Sequence, residues 1–138
     1  MSAPTLHRLP AWQTRFAVLC QQRAAAPFAW GVHDCCLWAA DAVHAITGHD
    51  FAATERGTYA TTAEAARVLQ AAGGVRGVAT RALGAPMPAA LAAVGDVVLL
   101  EQEGRELLAV CNGLEALAAG PTGLVPVPMR QALAAWKV

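Results

Sequence analysis

The block Phe28-Ala29-Trp30-Gly31-Val32-His33-Asp34-Cys35-Cys36-Leu37 holds the residues best suited to chemistry in this 138-residue chain. Asp34 is a good helix cap, and the cysteine after it would occupy the first turn. There the unpaired backbone N–H groups and the positive end of the helix dipole favour the thiolate, the nucleophilic form of cysteine. Cys35 is therefore the candidate nucleophile. His33, two residues earlier, is the weak candidate base. It could fold back over the helix start, but it lacks the separately mounted geometry of a thiolate–imidazolium pair. His44 lies nine residues beyond Cys35, roughly 13 Å along a helix axis. His49 is farther still, and His7 belongs to an N-terminal arm. Each residue also has a plainer reading: Cys35 as a small buried side chain, His33 as a loop hydrogen-bonder, and Asp41 with His44 as a solvated i, i+3 pair.

Cys20, Cys36 and Cys111 read as core packing. There is no CxxC and no Cys–His pair at ligand spacing, so neither a metal site nor a cofactor is expected. Neighbouring helical residues point about 100° apart, so Cys35 and Cys36 are not expected to form a disulfide.

The elements that must position these residues follow from periodicity. Trp12, Phe16, Leu19 and Cys20 recur at helical spacing within Pro10–Ala25, and Pro27 stops that helix. A second helix is expected from Asp34 to Thr47, with Gly48 as its stop. It is apolar on nearly every face, which marks the centre of a domain, and Ala39, Ala40, Val43 and Ile46 are expected to face a sheet. Thr61-x-x-Glu64 is a capping box for a third helix ending at Gly73-Gly74. Residues 75–94 are ambiguous, with a short helix near Val78–Leu83. Strands are expected at Val97–Leu100, Leu107–Cys111, Leu114–Ala118 and Leu124–Val127, with a polar turn over 101–105. Pro128–Trp136 reads as a terminal helical turn or two. Helices first and strands second make an α+β domain.

Composition narrows the function. Ten Lys+Arg balance ten Asp+Glu, so the basic surface that nucleic-acid binding requires is missing. The uncharged stretches Ala82–Val94 and Ala116–Met129 are too short to span a bilayer, so membrane insertion is not expected. Met1–Phe16 lacks the apolar core of a signal peptide, and synthesis in the cytoplasm is expected. The length suits one domain over residues 1–138, with 1–9 as a mobile arm.

Trp30-Gly31-x-x-Asp34-Cys35, followed by Gly95-Asp96-Val97-Val98 and a hairpin, resembles the NlpC-type branch of papain-like cysteine peptidases. The run 27–61 and Trp136 are similar to short proteins of that superfamily encoded in phage tail modules. The resemblance implies a papain-like fold, a helical half followed by a small barrel-like antiparallel sheet. It also implies Cys35 at the nucleophile position and Gly95-Asp96 opening the first strand. In active relatives a catalytic His begins the strand after the hairpin. Here Leu107 stands at that position, and no histidine follows His49.

The expectation is therefore a structural component of a phage tail, at or near its tip, made in the host cytoplasm and carried in the virion. Its partners would be other tail proteins of the hub or tip, with peptidoglycan as a further ligand. The rivals are an active peptidoglycan-cleaving endopeptidase or amidase that uses Cys35, and an assembly factor absent from the finished particle.

Overall fold

The computed structural model describes residues 3–138 and shows four helices and one five-stranded antiparallel sheet. Helices α1 (Trp12–Arg23), α2 (Cys35–Thr47), α3 (Thr62–Ala72) and α4 (Gly74–Leu83) come first. Strands β1 (Val97–Gln102), β2 (Arg105–Cys111), β3 (Glu115–Gly120), β4 (Gly123–Pro128) and β5 (Ala134–Trp136) follow, in the sheet order β4-β3-β2-β1-β5.

The central helix forms for the expected reasons. Asp34 accepts a 2.9 Å hydrogen bond from the Leu37 N–H at the start, and Gly48 closes the end in the left-handed conformation. Trp38, Ala39, Ala42, Val43 and Ile46 pack against Val97, Leu99, Leu108, Val110 and Trp136 on one face of the sheet. Ala40 does not join them. It is fully buried against Leu37 and Ala52, beneath the segment that returns along α2. Because α2 is covered on both sides, its apolar residues run all the way round.

Alternate residues of β1 serve two clusters. Val97 and Leu99 meet α2, whereas Val98 and Leu100 join Ala109, Cys111, Ala116 and Ala135 on the other face. That second face is covered by Met87, Ala92, Met129 and Ala132. The β1–β2 turn is tighter than the sequence suggests. Gln102 pairs with Arg105, leaving a two-residue loop of Glu103 and Gly104, both at positive φ as a hairpin of this length favours.

Two elements differ from expectation. The third helix ends at Gly73-Gly74 as expected, but the short helix expected near Val78–Leu83 already begins at Gly74. Gly73 caps α3 with positive φ and α4 starts at Gly74, so the chain turns and continues as a helix to Leu83. At the C-terminus only Met129–Gln131 makes a helical turn, of the 3-10 type. Ala134–Trp136 is strand β5, paired with Val97–Leu99. Of the arm expected over residues 1–9, the described part is tied down near its end. The Leu9 N–H donates to the Ile46 carbonyl at 2.8 Å, and Arg8 bonds to the Val94 carbonyl, the Val138 carbonyl and Asp96.

Candidate functional site

The Trp-Gly-x-x-Asp-Cys block forms a rigid entrance to α2. Asp34 is almost fully buried and its carboxylate accepts three hydrogen bonds: Leu37 N–H at 2.9 Å, Gly31 N–H at 3.0 Å and the Tyr59 hydroxyl at 2.6 Å. Gly31 sits at φ 78°, and a side chain there would run into the Tyr59 carbonyl. The Gly57 N–H in turn donates to the Gly31 carbonyl at 2.9 Å. Trp30 stacks edge-on to Phe28 and donates from Nε1 to Thr62 Oγ1 at 3.0 Å, tying the block to the start of α3. The aspartate of the motif therefore fixes the backbone at the entrance to α2.

The Gly95-Asp96 pair is built in the same way. Asp96 is buried and accepts from Arg8 Nη2 at 3.1 Å, Ala93 N–H at 2.9 Å and Val138 N–H at 2.9 Å. It joins the segment before α1, the start of β1 and the end of β5.

Cys35 begins α2 and faces the edge of β2. Strand β3 pairs with β2 only at Val110 and Cys111, so beside Leu108 that edge has no strand neighbour. A hydrogen bond from the Cys36 thiol, with further backbone N–H donation from Leu108 and Cys36, holds Cys35 below the ordinary thiol range. Burial and the Asp34 carboxylate oppose this without reversing it. The same thiol–thiol bond, together with burial, pushes Cys36 well above that range. All four cysteines are free.

No imidazole completes this site among the described residues. His33 is 5% exposed, with both ring nitrogens buried and without a hydrogen-bond partner, and it stacks edge-on to Trp38. Burial, with Arg23, lowers its pKa, partly opposed by Asp41 and Asp34. His49 lies past the far end of the 13-residue α2, about 20 Å from Cys35 along the axis. Leu107 belongs to the second sheet face, packed against the cluster of Val98, Leu100 and Ala109. Asp41 is not the solvated partner of His44. It bonds Arg56 at 2.8 Å and Arg23 at 3.5 Å, joining α1, α2 and the returning segment.

From Cys35 and Cys36 opens a cleft of about 420 Å³, walled by α2, the segment 49–59, α3 and α4. Tyr59, Phe51 and the helical hairpin α3–α4 give the cleft its shape, and sequence reading did not single them out. The signal for Tyr59, the chain's single tyrosine, was only its nearness to the capping box at Thr61. Among the described residues no cluster of three metal-ligating side chains occurs, and no helix is long and apolar enough to cross a membrane.

Fold and site together define an α+β domain with a thiol at the start of its central helix, set against an antiparallel sheet. Residues 7–138 match the family described as a domain of unknown function (DUF6950), and the chain belongs to that family. No curated protein and no solved structure matches it.

Proposed function

We propose that this chain is a papain-like, NlpC-type domain that has lost its peptidase chemistry and serves as a structural component of a phage tail, at or near the tip. The observation that carries the loss of activity is the environment of Cys35. That cysteine sits in the first turn of α2, and among the described residues both ring nitrogens of His33, the histidine nearest to it in sequence, are buried without a hydrogen-bond partner. A thiolate held in this way can attack a carbonyl. It has no group to protonate the leaving amine of a peptide, so the acyl-transfer step from a stem peptide stalls.

The NlpC-type assignment rests on the resemblance of the Trp30–Cys35 and Gly95–Asp96 blocks, and the tail assignment on that of the run 27–61 and Trp136 to tail-module proteins. Both aspartates of those blocks are anchors of the fold, which agrees with a domain that keeps its architecture without its reaction. The catalytic half of the proposal is tested by incubating the purified chain with muropeptides and following release by mass spectrometry. No cleavage is expected from wild type. Robust cleavage that disappears in Cys35→Ala would overturn it.

A further inference from the structure

A domain with a purely architectural role has no need for an apolar cleft that opens from a thiol. The walls are Phe51, Ala52, Ala65, Val68, Leu69 and Ala72, and the lining reaches from Cys35 at the start of α2 to His49 past its end. The cleft is therefore long as well as apolar, and its volume of about 420 Å³ lies within the range of small-molecule pockets. Both cysteines of the adjacent pair line it, and both are partly exposed.

The missing acid restricts what Cys35 can do. Expelling an amine requires a proton, because an amide anion is too poor a leaving group. Expelling a thiolate does not. A nucleophilic thiol without an imidazole can therefore exchange with thioesters where it cannot hydrolyse peptides. Together with the shape and lining of the cleft, this selects one substrate class.

We propose that Cys35 accepts a long-chain acyl group from an acyl thioester, with the acyl chain lying in the cleft between α2, the segment 49–59 and α3. The Cys35 thiolate, its proton already given up to solvent, forms a new C–S bond to the thioester carbonyl, giving a tetrahedral oxyanion. Collapse of that oxyanion breaks the donor's C–S bond, and the donor leaves as a thiolate with the electron pair. Nothing is oxidised or reduced, and no protein group must supply a proton. Cys36, which lines the cleft beside Cys35, is a positioning residue. This activity goes beyond the architectural role and shares with it only the absence of an imidazole; the muropeptide and acylation experiments can fail separately.

The test uses the full chain with coenzyme A thioesters of two to sixteen carbons, read by intact mass, peptide mapping and release by hydroxylamine. A single S-acyl adduct on Cys35 is expected, absent from Cys35→Ala. The rate should rise with chain length by up to about fourfold per methylene until the cleft is full. Val68→Trp, which fills the cleft, should slow palmitoylation more than tenfold and abolish the chain-length dependence, with circular dichroism as the control for folding. Cys36→Ala should move the pH midpoint of Cys35 acylation upward, a change that loss of packing alone would not produce. Adducts spread over Cys20 and Cys36 without chain-length dependence would overturn the proposal. So would the absence of any adduct on a Cys35 that iodoacetamide still alkylates.

Discussion

The hydroxyl of Tyr59 donates a 2.6 Å hydrogen bond to the Oδ2 atom of Asp34, across a gap of 25 residues in sequence. Both groups are buried, and the bond closes the returning segment over the start of α2. It also determines how Cys35 is presented, because Asp34 caps the helix that the cysteine begins.

Tyr59→Phe should cost about 1–3 kcal/mol, the penalty for leaving a buried acceptor short of a donor, and urea unfolding measures it. Burial, reinforced by the bond to Asp34, drives the phenol far above its usual pKa. The chain has one tyrosine, so phenolate absorbance reports this group alone. Native protein should show no phenolate at pH 10–11, and the band should appear only on unfolding. With the folded value raised, the stabilising effect is complete below the unfolded pKa of about 10. It is lost as pH rises above that.

His33 makes the opposite prediction at low pH. Its ring is buried and its pKa is lowered, with Arg23, Asp41 and Asp34 as the charges that act on it. The unfolded chain therefore takes up this proton first, near pH 6.5. Stability from this group is present above that pH and falls as pH decreases towards the folded value. Thermal melts between pH 7.5 and 5 should show the decline, and His33→Phe should flatten it.

Asp96 anchors the Gly95-Asp96 motif by its hydrogen bonds. Asp96→Ala removes the acceptor for Arg8, Ala93 and Val138 at once and should cost about 3–5 kcal/mol, as loss of one partner from a buried charge pair does. Arg8 also stacks over Trp12 at 4.1 Å and is only part-buried, so Arg8→Ala should cost less, about 1.5–3 kcal/mol. Denaturant midpoints for the two variants give the order directly.

What could be read from the sequence follows what is local. The caps Asp34, Gly48 and Thr61 and the 3.6-residue pattern of α1 are local signals, and those helices form where they point. Strand β5 was hidden because three residues, Ala134–Trp136, carry no alternation, and their partner Val97–Leu99 lies far away in sequence. Gly73-Gly74 reads as a stop, yet a glycine at positive φ also serves as a hinge between two helices. In the site, the cysteine and its cap were visible because Asp-Cys is a contiguous signal. Tyr59, the β2 edge at Leu108 and the cleft depend on chain segments meeting in space. The pairing of Asp41 with Arg23 and Arg56 has the same origin, so nearness to His44 in sequence was a poor guide.

The central claim, an architectural role in the tail, is tested most directly by peptide mapping of purified phage particles from a host carrying this gene. The chain should be present in intact, tailed particles, in constant proportion to other tail-tip proteins and retained after high-salt washing. Particles that are complete and infectious but contain none of it would contradict that role and favour an assembly factor.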